Sequence, residues 1–176
     1  MNVCNTKAKG WCKKCTDGDI ANLGYSNCFN ERAVNAHNIY RETHKKTPGF
    51  KVDPEIAAAA QKIAENLNKN GLAGTPENER RFDGFKIVKT GGKVCAENQY
   101  EGADEATAKD SDAATDFWYN KKKWYNFKEG KAVAPSNDND KPKKDADMFA
   151  RLIWKSTTKV GFGQKGKYVV AWYCEE

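Results

Sequence analysis

"DMFARLIW", residues 147–154, is the stretch on which the reading of the fold turns. It has the spacing of an amphipathic helix that ends in a tryptophan. Directly behind it, "KVGFGQKGKYVVAWYC" (159–174) reads as two β-strands joined by a glycine-containing turn around Lys165–Gly166.

On the N-terminal side of the octet lies a loop holding Gly130, Pro135 and several Asn and Asp residues. Before it, residues 104–125 are expected to form a helix carrying Phe117, Trp118, Trp124 and Tyr125, and "KVCAENQY" (93–100) a short strand. Residues 72–92 form a polar connection. The clearest helix is "VDPEIAAAAQKIAENLNKNG" (52–71): Asp53 is an N-cap, Pro54 holds the first helical position and Gly71 ends it. A further helix over 29–46 puts Ala33, Ala36, His37, Tyr40 and Arg41 on one face. The order helix, helix, strand, helix, helix, hairpin predicts an α+β fold with helices packed on a small antiparallel sheet.

A chain of 176 residues, 39% hydrophobic and 31% charged, fits one soluble domain. No apolar run approaches the ~20 residues needed to span a bilayer. "MNVCNTKAKGWC" has no apolar h-region, so no signal peptide is expected as written, and Met1 is compatible with the replacement of a removed leader. The net charge of +6 is spread out, with clusters at Lys121–Lys123 and Lys141–Lys144. Lysine dominates arginine, which disfavours bidentate base readout, so no nucleic-acid partner is expected. Weak electrostatic attachment to anionic membranes is compatible with these lysines.

Cys4, Cys12, Cys15 and Cys28 crowd the N-terminus, while Cys95 and Cys174 lie far apart. Six cysteines suggest three disulfides and an oxidising compartment. The rival is a zinc site on the first four, since Cys12-x2-Cys15 has ligand-like spacing, but a second such pair is missing. Residues 1–28 read as a cysteine-rich extension and 29–176 as the folded domain.

Six segments in order resemble the superfamily of cysteine-rich secretory proteins, antigen 5 and pathogenesis-related type 1 proteins (CAP). They are "AHNIYRETH" (36–44), "VDPEIAAAAQKIAENL" (52–67), "CAENQY" (95–100), "ATDFWYNKKKWYNF" (114–127), "DMFARLIWKSTTKVGFG" (147–163) and "YVVAWYC" (168–174). The resemblance implies an α–β–α sandwich, a secreted protein, and a Cys95–Cys174 disulfide, leaving Cys4, Cys12, Cys15 and Cys28 to pair among themselves; a monomer is expected. It also implies a cavity that in many members holds two histidines and two glutamates.

Carried over residue by residue, that cavity is degenerate. Its glutamate in the Gly-Glu-Asn segment matches Glu97, but the other three positions fall on Gly74, Lys121 and Met148. Glycine offers no ligand, methionine a weak one and lysine a positive charge, so no metal or other cofactor is expected. His37 and His44 sit seven apart on one helix, about 10 Å along its axis, too far to chelate one ion. With no histidine beside Glu97, a positioned general base is hard to build, and no enzyme is expected. Family resemblance leaves two binding functions: a lipid or sterol carrier, or a protein-binding, toxin-like effector using the N-terminal cysteines and the 128–140 loop. Tyr119-x4-Trp124-x2-Phe127 fits the aromatic spacing proposed for sterol-linked recognition. Glu97 and Lys121 are expected within salt-bridging reach, the lysine replacing part of the ion's charge.

Overall fold

A computed structural model describes residues 20–83, 86–88, 91–133 and 141–175. A short helix, α1 (Ile20–Leu23), precedes α2 (Asn27–Glu42), which begins where the Ser26 hydroxyl accepts the Phe29 amide at 3.2 Å. It stops four residues short of the expected end, where Thr43 caps it and Lys46 takes a left-handed φ of 56°. Strand β1 (Lys51–Val52) leads into α3 (Pro54–Asn70), and the Asp53 carboxylate accepts the amides of Glu55 and Ile56 at 2.9 and 3.1 Å.

The polar connection contains more order than its composition suggests: β2 (Arg81–Asp83), β3 (Lys86–Val88) and β4 (Lys93–Val94) pair antiparallel in the order β3-β2-β4. Next comes β5 (Ala96–Glu101). The single helix expected over 104–125 is divided into α4 (Glu105–Lys109), α5 (Ser111–Tyr119) and a 3-10 turn (Asn120–Trp124). Asp110 causes the break: its backbone is extended (φ −77°, ψ 97°) and its carboxylate accepts the Asp112 amide at 3.1 Å. A short polar side chain there competes with helix continuation. The hairpin β6 (Tyr125–Asn126) and β7 (Lys131–Ala132), α6 (Lys141–Ile153), β8 (Thr157–Lys165) and β9 (Tyr168–Glu175) complete the chain.

The main sheet has the order β1-β8-β9-β5. Its three long strands are antiparallel, as expected, while the two-residue β1 adds a parallel edge. Strand alternation divides the core between two faces. Val170, Trp172 and Cys174 pack with Ile56, Ala60, Ala64 and Leu67 of α3. Val169, Ala171 and Tyr173 pack with Phe29 and Ala33 of α2, Trp118 of α5 and Leu152 of α6. The result is the α–β–α sandwich. The alternating "GFG" of β8 has a steric cause: a Cβ on Gly161 would stand 2.2 Å from the Ala57 amide, and one on Gly163 2.4 Å from the Ala60 carbonyl. Only glycine lets α3 lie so close.

Two buried side chains of α2 fix the other layer. Asn30 donates to the Phe162 carbonyl and accepts its amide, both at 2.8 Å. Arg41 donates to the carbonyls of Pro48, Leu152, Trp154 and Thr157, so it holds the end of α6 to the start of β8. The Cys95–Cys174 disulfide joins the start of β5 to β9 with Cα atoms 4.5 Å apart, as the resemblance implied. Cys28 is also disulfide-bonded. Cys4, Cys12 and Cys15 lie outside the described residues, as does most of the 1–28 extension.

Candidate functional site

The four positions to which the resemblance points separate into two constellations. Glu97 stands opposite Trp172 in the β5–β9 ladder and so faces the α3 side. Its carboxylate accepts the indole N–H of Trp172 at 2.7 Å, the Thr75 hydroxyl at 2.6 Å and the Gln99 amide at 2.8 Å. Gln99 also donates to the Ala73 carbonyl at 2.7 Å, so the loop carrying Gly74 is tied to the sheet beside Glu97. Met148 packs instead into the cluster on the opposite face, and its carbonyl accepts the Asn98 amide at 3.0 Å.

Lys121 corrects an expectation. It pairs with Asp145 of α6 at 3.5 Å and lies 4.4 Å from the Phe117 ring centroid, not against Glu97. Asp145 is 6% exposed and carries the negative charge buried in this layer, whereas the Glu97 carboxylate is already satisfied by three neutral donors. The lysine goes where desolvation makes a counter-charge most valuable. Among the described residues no three His, Cys, Asp or Glu side chains are grouped to hold an ion. A glycine, a methionine, a paired lysine and one hydrogen-bonded glutamate do not fit a zinc ion, which takes several anionic or imidazole ligands.

The two histidines are likewise apart. His37 is fully buried; its Nδ1 lies 2.8 Å from the Ala33 carbonyl and its Nε2 2.8 Å from the Tyr173 hydroxyl. Burial lowers its pKa to about 3, so the ring is neutral. His44 lies at the surface end of α2, where burial and then the Lys122 and Arg41 charges hold it below the usual histidine range.

His44 lines an apolar groove of about 550 Å³ between the end of α2, the β6 segment and the end of α6. Tyr125, Phe127, Ile153 and Trp154 form its apolar lining, with Lys45 and Lys155 also lining it. Phe127 is 54% exposed and Trp154 52%, unusual for such large apolar rings. The floor is an aromatic cluster: fully buried Phe149 has the rings of Tyr119, Tyr125, Phe127 and His44 within 6 Å of its own.

Of the three aromatic candidates, Phe127 lines the groove. Tyr119 lies one layer behind, stacked on Tyr40 at 3.8 Å and within hydrogen-bonding distance of His44 Nε2 at 3.1 Å. Trp124 is set apart, 5.7 Å from the Lys123 ammonium. Sequence reasoning missed Tyr125, Ile153, Trp154 and His44 as groove residues. The signal was present in the tryptophan that ends the opening octet, where a helix terminus leaves a large ring beyond the packed stripe.

An α–β–α sandwich of this order, closed by the Cys95–Cys174 disulfide, defines the secretory-protein type of fold. Residues 34–175 match the family described as the cysteine-rich secretory protein family, and the chain belongs to it. It is 27% identical over 151 residues to the human Golgi-associated plant pathogenesis-related protein 1, covering 82% of this chain and 81% of that one. Among solved structures it resembles Schistosoma mansoni venom allergen-like protein 4, with a TM-score of 0.59, 13% identity and coverage of 84% and 89%. It also resembles NaASP2 crystallised with zinc, with a TM-score of 0.59, 17% identity and coverage of 90% and 83%. At these identities the structural likeness speaks for the fold.

Proposed function

We propose that this protein is a secreted, non-catalytic carrier that binds a lipid or sterol in the groove between α2, β6 and α6. The observation that supports it is the pairing of half-exposed Phe127 and Trp154 over an aromatic floor in a hollow of about 550 Å³. That size falls in the range typical of small-molecule sites, ~300–1,000 Å³. Leaving two such rings in water is unfavourable unless an apolar partner covers them. The Cys95–Cys174 disulfide fits an oxidising compartment. No described helix is long and apolar enough to cross a membrane. Non-catalysis rests on the histidines: His37 is sealed in the core, and His44 stands in the apolar groove, apart from Glu97.

The test is equilibrium binding of radiolabelled sterol and fatty acid to delipidated protein. Saturable 1:1 binding, weakened at least tenfold by Phe127→Ala, supports the reading. Binding that is absent, or indifferent to Phe127, sinks it. A receptor-binding effector is the alternative; most of the surface assigned to it, residues 1–19 and 134–140, lies outside the described residues.

A further inference from the structure

The apolar groove has a polar annex. A second hollow, of about 340 Å³, opens on the other side of Trp154, and both hollows are lined by Ala150 and Trp154. Its charged lining is mixed: Arg151 and Asp147 from α6, and Glu175 from the end of β9. Asp147 and Arg151 stand about one turn apart on α6, and Trp154 follows the helix end.

Arg151 is braced from behind. Its Nη1 donates to Asn98 Oδ1 at 3.2 Å, and Asn98, 1% exposed, donates in turn to the Met148 carbonyl at 3.0 Å and the Tyr173 hydroxyl at 3.2 Å. Such bracing fixes one edge of the guanidinium and leaves its other donors for a ligand. The two carboxylates are held loosely. Asp147 meets Lys143 at 3.3 Å and Glu175 meets Lys93 at 3.9 Å, with side chains 40% and 38% exposed. The Ser156 hydroxyl also donates to Glu175, at 2.6 Å. Exposed ion pairs of this kind contribute little, so a ligand ammonium can replace the lysines. Beside the carboxylates stands Trp154, whose face attracts an ammonium group.

We propose that the annex is a headgroup site for a zwitterionic amphiphile: an anionic phosphate on Arg151, a quaternary or primary ammonium on Asp147, Glu175 and Trp154, and a single chain in the apolar groove. A purely anionic headgroup meets two carboxylates there, and a purely cationic one meets the arginine. Only a ligand carrying both signs satisfies all three side chains. This assignment rests on the lipid-carrier reading of the groove and names the headgroup class that reading leaves open.

The test is calorimetric titration of delipidated protein with monomeric lysophosphatidylcholine, with a fatty acid of the same chain length, and with phosphocholine alone. Lysophosphatidylcholine is expected to bind at least tenfold tighter than the fatty acid, and phosphocholine weakly. Arg151→Gln is expected to remove that preference while leaving fatty-acid affinity within twofold, and Asp147→Asn with Glu175→Gln to reduce it independently of any effect on Arg151. Phe127→Ala is expected to weaken both chain-bearing ligands. Equal affinity for the two lipids, or a preference that survives both sets of headgroup variants, overturns the annex and leaves the groove standing. Failure of every chain-bearing ligand overturns the groove, and the annex with it.

Discussion

Lys121 and His37 show what single side chains decide here. Because Lys121 serves Asp145, the pair, with side chains 19% and 9% exposed, is the electrostatic unit of this layer. Lys121→Met strands a buried carboxylate and should cost about 3 kcal/mol, with the Lys121→Met/Asp145→Asn double variant costing less than the single one. Urea denaturation reads this directly. Glu97→Gln and Lys121→Met, by contrast, should add within about 0.5 kcal/mol, because no contact couples them. His37 gives a pH signature. Its pKa is about 3 in the fold, against an ordinary value of 6.5, so below pH 6.5 the unfolded chain binds a proton that the native chain refuses. Stability is therefore full above pH 6.5 and falls as pH drops, by about 1.4 kcal/mol per unit across the window down to about pH 3. Between pH 7 and pH 5 the loss should approach about 2 kcal/mol, with a smaller share of the same sign from His44. A His37→Gln variant whose stability falls just as steeply would remove the buried ring as the cause.

At the scale of elements, close approach of α3 to β8 makes the prediction most sensitive. Gly161→Ala places a methyl inside the Ala57 backbone, 2.2 Å from its amide, so the helix must move or the fold fails. Thermal melting should show a loss of several degrees or no cooperative transition, whereas alanine at Gly74, where nothing lies within 4 Å, should melt like the parent. Helix α3 and the hairpin β8–β9 were legible because each carries its whole signal locally: Asp53, Pro54 and Gly71 for the helix, Gly166 between alternating apolar runs for the hairpin. The division of 104–125 was not, because Asp110 reads as an ordinary exposed helix residue until its backbone is seen to turn. Neither was the small β3-β2-β4 sheet, whose strands are only two or three residues long, too short for a period to register. That Gly74, Lys121 and Met148 offer no strong metal ligand was readable from residue types alone. Where the lysine's charge went was not, since Asp145 lies 24 positions away and pairing across elements leaves no mark in spacing.

For the whole molecule, the sandwich keeps the family frame, and the Cys95–Cys174 disulfide and Arg41 both tie its elements together. The Cys95–Cys174 bridge closes a span of 79 residues and should contribute about 4 kcal/mol in the chain-entropy picture. Cys95→Ser/Cys174→Ser, followed by guanidinium unfolding, should show a midpoint lowered accordingly with the α–β–α core still cooperative. Arg41 is the second link: its bonds to the Leu152, Trp154 and Thr157 carbonyls set where α6 ends and hence where Trp154 stands over the groove. Stability and the shape of the groove are thus joined at one point, the end of the octet "DMFARLIW". The groove is formed by elements distant in sequence, α2, β6 and α6, and so belongs to the assembled fold alone.

Native mass spectrometry of the purified protein, incubated with lipid and with zinc and then desalted, tests the central claim most directly. The account predicts one retained lipid per chain, lost in Phe127→Ala/Trp154→Ala, and no retained zinc in the described domain. A retained zinc ion that disappears with Glu97→Gln, or a protein that keeps no lipid at all, contradicts it.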